Sequence, residues 1–149
     1  MRFFLYLCVA MIQRIQSIYL FIVTALGLTQ CFFPFAAVEG VALGMENCYI
    51  YAGLAAIVPI VSLVSIFMFK RRILQMRLNS FNIVLMLFQI ISMVAYFFYF
   101  KSNAVAEDVL PTHILLPFAL PIINIILTYL AIRAIGKDEA LVRSLDRLR

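Results

Sequence analysis

Hydrophobic positions in this chain fall into four long uncharged stretches, Ile15 to Val38, Asn47 to Phe69, Leu78 to Phe100 and Val109 to Ile132, separated by short polar or charged segments. Each stretch can cross the roughly 30 Å hydrocarbon layer of a bilayer, which takes about 20 helical residues. Within lipid every backbone N–H and C=O must be satisfied inside its own segment or by a closed barrel, so runs of this length predict helices. The pattern therefore predicts an all-α polytopic membrane protein with four transmembrane helices in an up-down-up-down bundle. A short amphipathic helix is expected to follow at the C-terminus. The divisions expected are 1–10 as a prefix, 11–135 as the four-helix domain and 136–149 as a separate tail.

Charge orients the bundle. Eleven of the twelve Lys and Arg residues flank the same side of the four stretches: Arg2 and Arg14 before the first, Lys70, Arg71, Arg72 and Arg77 between the second and third, and Arg133, Lys137, Arg143, Arg147 and Arg149 after the fourth. Only Lys101 lies on the other side, with Glu39, Glu46, Glu107 and Asp108. Because cations near helix ends resist translocation, both termini are expected in the cytoplasm of a bacterial inner membrane. The formal charge of +5 thus reports topology, not nucleic-acid binding. A composition that is 66% hydrophobic, with a mean hydropathy of +1.08, suits a chain whose surface faces lipid.

Residues 1–10 hold one Arg and then a short apolar run, Phe3 to Ala10, with the look of a brief secretion signal. Arg14 follows too soon for that reading. Met11 is expected to be the natural start, and an interfacial prefix is the alternative.

The resemblance of this chain to a known family begins at Met11. The run Met11-Ile12-Gln13-Arg14-Ile15-Gln16-Ser17-Ile18-Tyr19-Leu20 resembles the opening of an uncharacterised membrane protein family of Bacteroidota, domain of unknown function forty-two ninety-three. The closing run Lys137-Asp138-Glu139-Ala140-Leu141-Val142-Arg143-Ser144-Leu145-Asp146-Arg147-Leu148-Arg149 is similar to that family's terminal motif. The resemblance implies an inner-membrane location in a didermal bacterium. It implies no activity, cofactor or catalytic residue.

Three groups of residues are candidates for function. In the tail, Leu141, Leu145 and Leu148 share a helical stripe, and Glu139 precedes Arg143 by four residues. With Gly136 as a break, this suits a surface helix with Arg143, Arg147 and Arg149 near anionic lipid. Docking of a cytoplasmic protein partner is the alternative. Arg14, with Gln13 and Gln16, is expected to act similarly at the inner end of the first helix. Second, Thr24, Ser62, Gln89, Ser92 and Asn124 are expected at one depth near the midplane, beside a kink at Pro59. Interhelical hydrogen bonding of about 1 kcal/mol each accounts for them, and a small pocket is the alternative. Ala52 and Ala56 offer a small-residue packing face. Third, Cys31 and Cys48 lie at the outer ends of the first hairpin, where a disulfide is permitted but not required.

The four stretches contain no Asp, Glu, Lys or Arg, the groups that coupled transporters use to bind and release an ion. His113 stands apart from any Cys or carboxylate at ligand spacing, so neither a metal site nor a catalytic triad is indicated. No cofactor is expected. Two roles survive: a non-enzymatic interaction or accessory subunit, or a small uncoupled channel or lipid- or solute-handling protein.

Overall fold

The computed structural model describes residues 2–38, 41–68, 70–103, 113–114 and 116–147, with side chains described over 15–37, 43–68, 70–103 and 116–147. Four helices dominate it: α1 over Arg2–Phe32, α2 over Tyr49–Phe67, α3 over Arg72–Asn103 and α4 over Leu120–Arg147. All four are long and apolar enough to span a membrane. They pack in a ring in which α1 meets α2 and α4, and α3 meets the same two.

The end of the bundle that carries the first and third connections, expected to be the outer one and given that label, is not what the hydropathy pattern suggests. The first stretch was expected helical to Val38, yet α1 ends at Phe32. Pro34 lacks an N–H and disfavours a helical conformation at the residue before it, so the chain leaves the helix there. It then forms a hairpin of β1 (Ala36–Val38) and β2 (Val41–Leu43), pairing Ala36 with Leu43 and Val38 with Val41. A third strand, β3 (His113–Ile114), adds to the other edge of β1. Ahead of α4 the chain makes a 3-10 turn at Leu116–Phe118, and α4 carries Pro121 in its first turn. Pro117 and Pro121 thus sit in an irregular approach to α4, which begins at Leu120, eleven residues after the expected Val109. Residues 109–112 lie outside the described structure.

At the opposite end the helices run longer than the apolar stretches. Helix α3 starts at Arg72 instead of Leu78, after a connection of only Met68 to Arg71, closed by hydrogen bonds from Arg71 N to Met68 O and from Gln75 N to Arg71 O. The expected break at Gly136 is absent: α4 continues through it to Arg147. Glycine inside a helix costs about 1 kcal/mol relative to Ala. Burial of the Ile135 side chain beside Gly136 offsets that cost, and Asp138 is buried one turn further on, so residues 136–147 are an extension of α4 and not a separate surface helix.

The four helices are apolar outside and polar inside. Phe21, Ile60, Ile91 and Ile126 are each more than half exposed, whereas Gln30, Ser62, Asn79, Asn82, Gln89, Asn124 and Asp138 are at or below 1% exposure. In water this would leave the apolar faces uncovered and bury the polar ones. In lipid it is the favourable arrangement, since hydrocarbon solvates the outer face and polar side chains find partners within the bundle. Apolar residues close the outer end: Phe35, Leu43, Cys48, Tyr51 and Met93 form a buried cluster, with the Phe35 ring 4.8 Å from Tyr51 and 6.4 Å from Phe118.

Candidate functional site: a buried polar axis

Regular spacing puts the polar residues on the axis. On α3 the inward positions are Gln75, Asn79, Asn82, Met86, Gln89 and Met93, alternating steps of three and four that keep one face. On α4 they are Asn124, Thr128, Ala131, Ile135 and Asp138, and on α2 Tyr51, Ala55, Val58, Ser62 and Ser65. Helix α1 contributes Gln16, Leu20, Val23, Thr24 and Gln30.

The expected midplane layer is resolved into separate levels. Ser62 accepts a hydrogen bond of 2.9 Å from Asn82 Nδ2, while Gln89 Nε2 donates over 2.7 Å to Gln30 Oε1. Asn82 and Gln89 are seven residues apart, about 10 Å along the helix. Tyr51 adds a bond from its hydroxyl to the Gln30 carbonyl at 3.1 Å. Between the two levels sits a small apolar layer of Val23, Val58 and Met86. Thr24 and Ser92 do not take part in cross-links: their hydroxyls donate to Leu20 O and Gln89 O on their own helices. Asn124 has neither side-chain polar atom partnered. The five residues expected in one layer are therefore spread along an axis.

The same holds for Asn79, whose Oδ1 and Nδ2 are both buried without a partner, and for Gln16 Nε2. Within the bonded pairs, Gln30 Nε2, Gln89 Oε1 and Asn82 Oδ1 are also left over. A buried amide without a partner costs about 1 to 3 kcal/mol, so Asn79 and Asn124 are the positions on the axis where a polar partner would contribute most. Amides supply both donors and acceptors without charge, a chemistry that suits water or a small neutral polar solute.

At the inner end of the axis, Arg72 Nη1 lies 3.1 Å from Asp138 Oδ2, with the Asp138 side chain fully buried and Arg72 one-fifth exposed. The contact is an ion pair without hydrogen-bond alignment, so both carboxylate oxygens keep unused acceptor capacity. It joins the start of α3 to the extension of α4. The expected pair of Glu139 and Arg143 is present at 3.0 Å on the surface, where such pairs contribute a few tenths of a kcal/mol. Leu141 and Leu145 are about half exposed and Arg143 and Arg147 are exposed. Leu148 and Arg149 lie outside the described residues, as does the side chain of Arg14. Gln16, expected at the membrane surface beside Arg14, turns inward and is buried.

Cys31 and Cys48 are both free thiols, so the permitted disulfide is not formed. Cys48 is buried at the start of α2, in the cluster with Phe35 and Tyr51. Cys31 has another partner. Pro59 has no N–H to give the carbonyl four residues before it, Ala55 O, and Cys31 Sγ approaches that oxygen at 3.3 Å. The helices come close enough because Gly27 faces Pro59: a Cβ at position 27 would stand 3.3 Å from Pro59 Cβ. Cys31→Ala should therefore lower stability by about 0.5 to 1 kcal/mol in detergent unfolding, with Cys31→Ser near wild type, since only the hydroxyl can replace the bond to Ala55 O. For the paired amides, Gln89→Leu should cost about 1 to 2 kcal/mol, and a double-mutant cycle with Gln30→Leu should return a coupling near 1 kcal/mol.

Of these features, the sequence reading missed Gln30, Asn79, Asn82, Arg72 and Asp138. For Asn79 and Asn82 the signal was the α3 spacing of Gln75, Asn79, Asn82 and Gln89, complete only if the helix is begun before Leu78.

A ring of four helices, each long and apolar enough to span a membrane, with apolar residues outside and amides within, is the architecture of an α-helical protein compatible with a membrane. The chain belongs to the family designated domain of unknown function DUF4293, which matches residues 12–148. No curated protein and no solved structure matches it.

Proposed function

We propose that this is a non-enzymatic inner-membrane protein that holds water or a small neutral polar solute on its bundle axis. The observation that carries this reading is the pair of fully buried, wholly unpartnered amides at Asn79 and Asn124. Interhelical bonding accounts for Gln30 with Gln89 and for Asn82 with Ser62, and leaves these two unexplained. A second role, as an interaction or accessory subunit, is favoured by the exposed Leu141 and Leu145 with Arg143 and Arg147 beside them on the protruding end of α4. Purification in mild detergent followed by native mass spectrometry separates the two. A small polar adduct lost on Asn79→Leu supports the axis, and a stoichiometric protein lost on Leu141→Ser/Leu145→Ser supports the subunit.

The proposed orientation, with both termini in the cytoplasm, rests on the cation distribution. Cysteines placed at Glu46 and Ser102, both exposed, should react with an impermeant thiol reagent from the periplasmic side, and one at exposed Lys70 should not. Reversal of that pattern would invert the topology.

A further inference from the structure

The inner end of the α3–α4 seam carries a groove of about 600 Å³, walled by Lys70, Arg71, Arg72 and Arg77 with Ile73 and Val142 beside them. From these residues we infer a binding site for the phosphate of an anionic phospholipid headgroup. The charge balance supports it. Arg72 is engaged by Asp138, and the one carboxylate on the groove wall, Glu139, is engaged by Arg143 at 3.0 Å. Among the described residues Lys70, Arg71 and Arg77 form no ion pair, so three cations converge on one groove without a counter-charge. They also stand at the start of α3, whose first turn holds no acidic residue, and cations at that end of a helix are disfavoured by its dipole. A phosphate between them offsets both penalties, accepting charge-assisted hydrogen bonds from the guanidinium groups.

The apolar residues decide the kind of phosphate. Ile73, Leu74 and Val142 line the same groove, and Ile73 and Leu74 are half-exposed or nearly so on the lipid-facing surface of α3. A soluble anion leaves this surface uncovered, whereas the glycerol and first methylenes of a lipid lie along it. Basic pockets at the cytoplasmic interface are suited to such headgroups. An adjoining groove of about 670 Å³, which shares Ile73, Arg77 and Glu139 and continues over Met76 and Gly136, extends the apolar track.

The test uses the full-length protein in nanodiscs and in detergent, with phosphatidylglycerol, phosphatidylcholine and inorganic phosphate as probes. Phosphatidylglycerol should bind stoichiometrically and raise the thermal midpoint, while phosphatidylcholine and millimolar inorganic phosphate should not. Arg71→Gln/Arg77→Gln alters two exposed side chains that hold no partner in the fold, and should weaken phosphatidylglycerol binding at least tenfold. A control of equal charge loss, Lys101→Gln/Arg133→Gln, should leave it within twofold. Equal weakening by both double variants means diffuse attraction and overturns the site, as does unchanged binding by Arg71→Gln/Arg77→Gln. Stabilisation by inorganic phosphate as strong as by the lipid reassigns the ligand to a soluble phosphate compound and overturns the lipid.

Discussion

Asp138→Ala should destabilise the protein by about 2 to 4 kcal/mol in detergent unfolding. Removing one partner of a buried ion pair typically costs about 3 to 5 kcal/mol, because the other charge is left desolvated. Here the remaining charge, on Arg72, is one-fifth exposed and can regain some hydration, which lowers the expected figure. Replacing both, as Arg72→Leu/Asp138→Leu, should recover most of the loss, since the pair's net contribution over an apolar substitute is small. Deleting residues 137–149 removes Asp138 and should carry a similar penalty. A surface tail would behave differently, with neither Asp138→Ala nor the deletion moving the unfolding midpoint. The four spans retain their own apolar lengths, so insertion should persist in every variant.

The second large effect concerns the unpartnered amides. If Asn79 and Asn124 were dry, each would be a standing penalty of about 1 to 3 kcal/mol, and a Leu of similar size would stabilise the bundle by that amount. With water or solute bound to them, the substitution removes a satisfied group. Asn79→Leu/Asn124→Leu should then give no gain beyond about 1 kcal/mol, the scale of one net hydrogen bond, and should abolish retention of the bound molecule. Thermal unfolding in detergent with native mass spectrometry on the same sample measures both. A stabilisation of several kcal/mol with nothing lost would mean that the amides are unsatisfied strain.

The existence of four helices was legible because uncharged runs of that length have few alternatives in lipid. Their ends were not, for two reasons. At the outer side, Pro34 and Pro117 stop regular helix within sequence that remains apolar, so hydropathy continues where structure changes to strands and a 3-10 turn. At the inner side the reverse occurs. Charged residues end the hydropathy signal at Leu78 and Ile132, yet long cationic side chains such as Arg72 and Arg77 keep a helix while reaching polar surroundings. That truncation hid the site. Bounded by hydropathy, Gln75 falls in the connection, Asn79 at the very edge of the third stretch and Asp138 in the tail, though all three are buried on the axis. Gln30 carries no signal of its own within the first stretch, and only the fold brings it to Gln89, fifty-nine residues away. Cys31 was read for its sulfur chemistry when its partner is the carbonyl freed by Pro59, a pairing between two helices that no spacing within one helix announces.

An experimental structure in a lipid environment, at a resolution that shows ordered water, tests the hydrated axis most directly. Discrete non-protein density is expected within hydrogen-bond distance of the side-chain atoms of both Asn79 and Asn124. Side chains packed against both amides with no density between the helices would contradict it.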